Sequence, residues 1–275
     1  MFDLNKSWNK ETIIAFDTET TGKYPLESEI CEIAAVKWQN GQIVDKFQQL
    51  IKPSSKMSDE VIQIHHITNE MVESSPSISN VIKQFADFIK EAYLVAHHAP
   101  FDLGFLAIEF EKQNISFPEH PVLCSSLLSR KIFPSSPNHR LQTLLGYLNL
   151  EKGQAHRALD DSIACLNVTL KCFEKLGPEI TIGDIFKIQL KKLNWLDYSI
   201  QDLHKKEPWK NIIEAIHRKS NLFMTYQGGS KPGTEREVCP KGIVRSPNGD
   251  FLVAMAQGEK IAKRYFLDKI TAARL

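Results

Sequence analysis

The pattern of apolar and polar positions predicts that strands open the chain. Apolar residues at 13–16 predict a first strand, and residues 30–38 and 42–47 predict two more, joined by a tight turn at Asn40-Gly41. A short apolar run at 94–96 predicts a further, buried strand. The first hundred residues therefore supply most of a sheet.

Helical periodicity dominates the residues around and after the fourth strand. Apolar side chains recur at helical spacing in three segments, at 78–89, 103–110 and 141–148. A last helix follows His156 and ends at Gly177-Pro178, where glycine and proline stop it. The mixed order of strands and helices predicts an α/β domain over residues 1–176.

The remainder of the chain divides into two segments. Residues 177–208 mix a helical pattern with scattered charge and hold little glycine or serine, which predicts a partly helical connector. Residues 209–275 begin with a helix and continue with short strands, which predicts a small β-barrel domain. The strands are predicted at 222–226, 238–244, 251–255 and 263–270.

Composition indicates a soluble protein of a reducing compartment. Of the 275 residues, 42% are hydrophobic and 24% are charged, as is usual for globular proteins. No apolar run approaches the roughly 20 residues of a membrane span, and the first residues lack a signal-peptide pattern. The five cysteines lack the CxxC spacing of zinc sites. We therefore expect free thiols, a cytoplasmic protein and no membrane partner.

Charge is distributed unevenly along the chain. From residue 209 onward, twelve lysines and arginines stand against six aspartates and glutamates, a net charge of +6. Because the whole chain carries +1, residues 1–208 carry −5. A basic C-terminal module beside an acidic body indicates that the two parts have different tasks.

Two carboxylates follow the first apolar run. Asp17 and Glu19 are two residues apart, so in a strand both side chains point to the same face. Their negative charges repel each other unless water screens them or a cation neutralises them, and hard divalent cations prefer such oxygen ligands. A solvated strand end is the alternative, because short acidic pairs are common by chance.

Later segments offer side chains that complete such a site. Asp102 follows the buried strand, and His156 precedes a helix whose first turn contains Asp160 and Asp161. Taken singly, Asp102 is a candidate helix cap, His156 is a candidate surface histidine, and the two aspartates are charges favoured by the helix dipole. Periodicity alone does not choose between Asp160 and Asp161.

The order of these residues resembles the DnaQ-like 3′-to-5′ exonucleases of the DEDDh type. The resemblance rests on residues 16–22 (FDTETTG), on residues 97–102 (HHAPFD) and on the step from His156 to Asp161, and it covers about residues 10–176. It implies a ribonuclease H-like exonuclease fold with a mixed sheet, similar to proofreading exonucleases of the DNA polymerase III epsilon type. The family's five-residue step from His to Asp selects Asp161.

The resemblance also implies roles for these side chains. Asp17, Glu19 and Asp161 would hold one divalent cation, and Asp17 and Asp102 would hold a second. His156 would accept the proton of the attacking water, a task suited to histidine because it titrates near neutral pH. Mg²⁺ or Mn²⁺, two per site, fits an all-oxygen ligand set better than zinc does.

Further residues of the same motifs are expected to contact substrate. By resemblance, Thr20, Thr21 and Gly22 place backbone groups against the terminal nucleotide. Phe101 and Phe105 either pack near the bases or belong to the core. His98 occupies a position where the family usually has Asn. A histidine still donates a hydrogen bond, so we expect activity to be retained, with altered positioning either of Asp102 or of the scissile region.

The basic C-terminal segment resembles the WYL domain. The resemblance rests on residues 236–240, 251–254 and 263–270 and covers about residues 209–275. It implies a small SH3- or Sm-like β-barrel that binds nucleic acid or nucleotide-like anions. The candidate ligand-binding residues are Tyr226, Arg236, Arg245, Lys263 and Lys269. The two lysines stand where the family often has Arg, which keeps the charge but loses bidentate phosphate geometry.

Two classes of function follow from these resemblances. The first is a metal-dependent 3′-to-5′ exonuclease that acts on single-stranded DNA. RNA is the alternative substrate, because nothing in the sequence reads the 2′-hydroxyl. The second class is a nucleic-acid-binding regulator in which the exonuclease fold is a non-catalytic scaffold. The complete set of carboxylates and histidine favours the enzyme.

Overall fold

Residues 3–275 are described by the computed structural model, and the first two residues of the predicted N-terminal domain lie outside them. The first part of the chain forms a five-stranded sheet in the order β3-β2-β1-β4-β5. Its strands are β1 Ile13–Thr20, β2 Ile30–Gln39, β3 Gln42–Leu50, β4 Tyr93–Ala96 and β5 Leu123–Cys124. Its helices are α1 Asp59–His65, α2 Asn69–Val72, α3 Ile78–Phe88, α4 Pro100–Lys112, α5 Ser125–Ile132, α6 Leu141–Tyr147 and α7 Ala158–Leu176.

The central strand β1 explains why this sheet is mixed. It pairs antiparallel with β2 and parallel with β4, while β2 pairs antiparallel with β3 and β4 pairs parallel with β5. Alternate residues of 13–16 pack into two buried clusters, one that includes Phe85 of α3 and one that includes Phe173 of α7. The run is wholly apolar because both faces of β1 are covered. This arrangement confirms the predicted fold class.

A series of short helical segments links the two parts of the chain. α8 spans Ile182–Gln189, a 3-10 turn spans Trp195–Tyr198, and α9 spans Ile200–His204. Trp195 is fully buried, and its ring centroid lies 5.0 Å from that of Phe110 in α4. The segment therefore packs against the first domain. The domain limits predicted at residues 176 and 208 stay a prediction.

The last part of the chain is a helix followed by five antiparallel strands. α10 spans Trp209–Arg218, and the sheet has the order β10-β6-β7-β8-β9. Its strands are β6 Leu222–Tyr226, β7 Glu235–Val244, β8 Phe251–Ala256, β9 Lys263–Phe266 and β10 Ile270–Arg274. This separate sheet confirms the predicted small β domain. The strand predicted at 263–270 is broken by a 3-10 turn, because β9 pairs with β8 whereas β10 pairs with β6 at the other edge.

The structure shows the state of the cysteines and the character of the helices. All five cysteines are free thiols; four are buried, and Cys239 of β7 is half-buried. Across residues 3–275, no helix combines the length and the apolar character needed to cross a membrane.

Phe85 of α3 provides a test of the core. Its ring is fully buried, with centroid distances of 6.1 Å to Phe16 of β1 and 5.7 Å to Phe47 of β3. Because Phe85→Ala leaves a cavity between α3 and the sheet, we expect it to lower the free energy of unfolding in urea by about 3–5 kcal/mol. Lys83→Ala, on the exposed side of α3, is the control and should change it by less than about 0.5 kcal/mol. Equal effects would contradict this packing.

Candidate active site

One cavity at the carboxyl end of β1 brings together the residues expected from the exonuclease-like motifs. Its volume is about 620 Å³, and residues of α1, α4 and the loop before α7 form its other walls. The predicted residues that line it are Asp17, Glu19, Thr20, Thr21, Gly22, His98, Phe101, Asp102, His156 and Asp161. They come from distant stretches of the chain and meet only in the folded protein.

Asp17 and Glu19 both face this cavity from β1, as their two-residue spacing predicts. Loss of hydration raises the pKa of Asp17 well above its usual 3.8, and the carboxylates of Asp102 and Glu19 raise it further. Burial, followed by the charge of Asp161, raises the pKa of Glu19 from 4.5 to about 8. The cavity therefore crowds negative charges that the surrounding protein does not balance.

Asp102 lies in the first turn of α4 and is bound to β1. The helix begins at Pro100, earlier than the predicted start at residue 103, because proline suits the first helical turn. Asp102 Oδ1 accepts hydrogen bonds from the Thr18 N–H at 3.0 Å and from Thr18 Oγ1 at 2.8 Å. Burial raises the pKa of Asp102 to about 7 although these bonds oppose the rise. The motifs did not single out Thr18, which fixes this carboxylate in place.

The loop before α7 presents His156 beside Asp161. The backbone of His156 is left-handed, with a φ of 61°, and its N–H donates to Asp161 Oδ2 at 2.9 Å. Ligand atoms of Glu19, His156 and Asp161 all lie within 4.8 Å of one another. Asp160 instead accepts a hydrogen bond from the Gln154 N–H at 3.0 Å, away from the cavity wall. The structure thus separates two aspartates that periodicity leaves equivalent.

A buried ion pair fastens this loop to the sheet. Glu32 of β2 is fully buried and accepts hydrogen bonds from Arg157 Nη2 at 3.0 Å, the Ala158 N–H at 3.1 Å and Gln48 Nε2 at 2.9 Å. Burial alone would raise the pKa of Glu32, but these hydrogen bonds, led by Arg157, bring it below its usual value. Glu32 and Arg157 are far apart in sequence, so no local pattern predicted the pair.

The cavity also has walls that the motifs did not indicate. Lys23 and Tyr24 line it from the turn after β1, and Val61 and Ile64 line it from α1. Ile64 is an exposed apolar residue. Single residues in a turn or a short helix carry no periodic signal, so only the fold reveals their position.

The two histidines after β4 have different surroundings. His98 is exposed, lines the cavity and has a left-handed backbone with a φ of 63°. Nδ1 of His97 lies 2.7 Å from Ser125 Oγ, and Nε2 lies 3.1 Å from the His139 carbonyl oxygen. Burial lowers the pKa of His97 to about 4, so this ring is neutral near pH 7. His97 also lines the cavity, but its ring nitrogens are engaged by these contacts, so His98 is the histidine of the pair that is free to meet a substrate.

Two of the residues predicted to bind a ligand in the C-terminal domain are neighbours, and a third stands nearby in β9. Tyr226 is buried, with the Arg236 guanidinium 5.9 Å from its ring centroid and the ring of Tyr265 edge-on at 5.1 Å. Lys263 pairs with Glu259 and stands two residues before Tyr265. Tyr226, Arg236 and Tyr265 thus form one cluster.

The other two predicted residues lie elsewhere in this domain. Arg245 donates to the main-chain carbonyl of Ser199 at 2.8 Å and to that of Asp197, both in the connector. The ammonium of Lys269 lies 5.8 Å from the ring centroid of Phe266. Arg245 therefore fastens the C-terminal sheet to the connector.

Comparison with known families covers both parts of the chain. The family model described as Exonuclease matches residues 14–169, more than half of the chain, and the model described as WYL domain matches residues 208–275. The cavity is built from the first match. The cluster around Tyr226 belongs to the second.

The chain is also similar to part of a much longer protein. It is 31% identical over 255 residues to a DNA polymerase III of the PolC type from Bacillus cereus. The alignment covers 86% of this chain and 17% of that relative. The chain thus spans less than a fifth of the length of this curated relative.

Solved structures of exonucleases share the fold. Exonuclease X in complex with 5′-overhanging duplex DNA has a TM-score of 0.51 and 25% identity, covering 64% of this chain and 99% of that chain. The nuclease domain of 3′hExo, a DEDDh family member bound to rAMP, has a TM-score of 0.55 and 21% identity, covering 63% of this chain and 96% of that one. Both likenesses thus cover nearly two thirds of this chain and almost the whole of each solved exonuclease.

The raised pKa of Glu19 predicts how stability depends on pH. A carboxyl group with a raised pKa binds its proton more tightly in the folded protein, so stability falls as the pH rises from about 4.5 towards 8. Glu19→Gln removes this loss. In EDTA, we expect the variant to exceed the wild type in melting temperature at about pH 8.5 and to match it closely at about pH 5.

The control for this measurement is Glu73→Gln, which changes an exposed carboxylate outside the cavity wall. Its melting temperature should follow that of the wild type at both pH values. If the melting temperatures of Glu19→Gln and wild type differed by the same amount at both pH values, the ionised Glu19 carboxyl would not be destabilised by its surroundings.

Proposed function

The chain belongs to the exonuclease family, and we propose that it is a metal-dependent 3′-to-5′ exonuclease that shortens single-stranded DNA. The observation that carries the proposal is the meeting of four carboxylates and one histidine in a single cavity of the exonuclease fold. They are Asp17, Glu19, Asp102, Asp161 and His156.

The chemistry of this cavity fits divalent cations, on which DEDDh exonucleases depend. The donors are carboxylate oxygens, which Mg²⁺ and Mn²⁺ prefer. Burial raises the pKa of Asp17, Asp102 and Asp161, so the interactions around these groups do not offset their loss of hydration. The nearby guanidinium of Arg157 is already paired with Glu32. Cations would return the carboxylates to their ionised form.

Both cation positions are proposed from the same donors. Asp17, Glu19 and Asp161 would hold one Mg²⁺ or Mn²⁺, and Asp17 and Asp102 would hold the other. When bound, such cations supply charge neutralisation at the scissile phosphate and help to ionise the attacking water. The hydrogen bonds from Thr18 keep Asp102 fixed for this task.

His156 is the proposed proton acceptor for the attacking water. Its side chain is exposed on the cavity wall, close to Glu19 and Asp161. The left-handed backbone and the N–H···Oδ2 bond to Asp161 hold the loop that carries it. Histidine changes protonation near neutral pH, which suits a group that takes a proton and returns it to solvent in each turnover.

The turn after β1 is the proposed contact for the terminal nucleotide. Thr20 Oγ1 donates to the Gly22 carbonyl at 2.7 Å, while the N–H of Thr21 donates to the Glu29 carbonyl at 2.8 Å. These internal bonds give the turn a fixed shape. Thr20, Thr21 and Gly22 would therefore contribute shape and backbone contacts, while His98 and Phe101 face the nucleotide from α4 and the residues before it.

DNA is the proposed substrate, and RNA is the alternative. Support for DNA comes from the PolC-type relative, whose name describes a DNA polymerase. Support for RNA comes from the 3′hExo nuclease domain, which was solved with rAMP. The basic residues 209–275 are proposed to bind nucleic acid and to add affinity for the strand.

Digestion of matched oligonucleotides tests the proposal. Single-stranded DNA and RNA of one sequence, labelled at the 5′ end, would be incubated with Mg²⁺, Mn²⁺ or EDTA. We expect a ladder that shortens from the 3′ end, faster for DNA and absent in EDTA. Asp17→Asn should lower the rate by about 100-fold or more, because both proposed cation positions share this carboxylate.

Asp45→Asn is the control, because it makes the same change at an exposed position of β3. It should digest DNA at the wild-type rate. Equal rates for wild type and Asp17→Asn would refute the catalytic role of the cavity. If RNA were digested faster than DNA, RNA would replace DNA as the proposed substrate.

The pair Asp160 and Asp161 offers a second test of the site. Asp161→Asn should lower the rate about 100-fold or more, because it removes a proposed cation ligand. Asp160→Asn should stay within about tenfold of wild type, because its side chain only supports the Gln154 backbone. The comparison uses initial rates on labelled single-stranded DNA. A larger loss for Asp160→Asn would reverse the assignment.

A further inference from the structure

The turn between β1 and β2, residues 21–29, reaches from the cavity to the C-terminal domain. Its ends are held together, because Thr21 and Glu29 exchange two hydrogen bonds of 2.8 and 2.9 Å. Within the turn, Tyr24 lines the cavity. Leu26, two residues later, packs against the buried cluster of the C-terminal domain. One short segment therefore touches both domains.

Tyr24 rests directly on the backbone of β7. A Cβ atom at Gly242 would lie 2.4 Å from Tyr24 Cβ and 2.5 Å from Tyr24 Cγ, closer than real side chains approach. The register of β7 against β8 shifts between Pro240 and Gly242. This irregularity presents bare backbone at the point where Tyr24 arrives. Tyr24 therefore packs against the backbone at Gly242.

The opposite side of the turn rests on the exonuclease domain. A Cβ atom at Gly104 of α4 would lie 3.1 Å from Pro25 Cγ, so Pro25 is in close contact with this helix. The same helix carries Asp102, two residues earlier. The turn is therefore held between α4 on one side and β7 on the other.

Further contacts fix the two domains in this arrangement. Glu111, near the end of α4, accepts hydrogen bonds from Ser199 Oγ and from the Ile200 N–H, the latter at 3.0 Å. Arg245 of the C-terminal domain donates to the Ser199 carbonyl at 2.8 Å. The two domains are thus joined through the connector as well as through residues 21–29.

Two lysines stand next to the contact between Tyr24 and Gly242. Lys23 precedes Tyr24, is exposed and lines the cavity. Lys241 precedes Gly242 in β7. An aromatic ring near lysines is a combination by which proteins hold single-stranded nucleic acid, through base stacking and phosphate attraction.

We propose that the C-terminal domain completes the substrate-binding surface of the exonuclease, because the backbone at Gly242 supports the Tyr24 side chain. Tyr24 contacts a base of the single strand near the point where the strand leaves the cavity, and Gly242 acts as a positioning residue. The inference rests on the proposed function, because it takes a single-stranded polynucleotide as the substrate. It gives the C-terminal domain a part in substrate binding through a residue of the other domain.

Kinetics on a long and a short substrate test this inference. The long substrate is a single-stranded DNA oligonucleotide, and the short one is a nitrophenyl ester of thymidine 5′-monophosphate, which has no strand beyond the cavity. Tyr24→Ala and Gly242→Ala should each raise KM for the oligonucleotide about tenfold, with kcat nearly unchanged, because a stacked base is lost. Hydrolysis of the short ester should fall far less than digestion of the oligonucleotide, because the ester carries no base beyond the cavity.

Three further variants separate positioning from general damage. Tyr24→Phe should retain the wild-type KM, because the ring remains. Gly258→Ala, at a positive-φ glycine in open space of the same domain, should also keep the wild-type KM. The double variant with Tyr24→Ala and Gly242→Ala should be no worse than Tyr24→Ala alone, because Gly242 acts through Tyr24. An additive loss would overturn the positioning role of Gly242.

Direct binding distinguishes failure of this inference from failure of the proposed function. The dissociation constant of a fluorescein-labelled single strand would be measured in EDTA for wild type, Tyr24→Ala and Gly242→Ala. A rise of about tenfold in both variants supports the inference even for a protein that cleaves nothing. Equal dissociation constants in all three proteins would overturn it even for an active exonuclease.

Discussion

Four carboxylates crowded into one partly enclosed cavity are the constraint on which the rest of this structure depends. Each would be more stable in solvent, and together they repel one another, so the fold must hold them in place. β1 supplies Asp17 and Glu19 and is anchored by apolar clusters on both of its faces. Thr18 fixes Asp102. The molecule thus carries a local electrostatic penalty that cations would relieve.

The surrounding charges are arranged to preserve this imbalance. Arg157 is close enough to lower the pKa of Glu19, yet its hydrogen bonds go to Glu32. The guanidinium therefore holds the loop of His156 without neutralising the cavity. A cationic side chain aimed into the cavity would compete with divalent cations for the same oxygens, so the placement of Arg157 keeps those oxygens available.

The sequence predicts the parts of this site that depend on local spacing. The period of two in a strand places Asp17 beside Glu19, and the motif order identifies Asp102, His156 and Asp161. It does not predict contacts between residues far apart in the chain, such as Tyr24 on Gly242. α5 is missed for another reason: its serines at 125, 126 and 129 are buried, so the segment lacks the apolar stripe of a helix.

The predicted limits of a strand are wrong where the chain changes its pairing strand but keeps the same apolar pattern. Tyr265 and Leu267 are both buried and two residues apart, so alternation continues from β9 into the 3-10 turn that begins at Leu267. Only the pairing of β9 and β10 with opposite edges shows that the strand is broken. Local patterns therefore define the elements better than they define how the elements pair.

Calorimetric titration with Mn²⁺ in the presence of thymidine 5′-monophosphate tests the proposed cation site without any turnover. We expect the wild-type protein to bind about two Mn²⁺ ions. Asp17→Asn, which alters a ligand common to both positions, should lose most of this binding. Equal Mn²⁺ binding by wild type and Asp17→Asn, or none by the wild type, would contradict the proposed cation site.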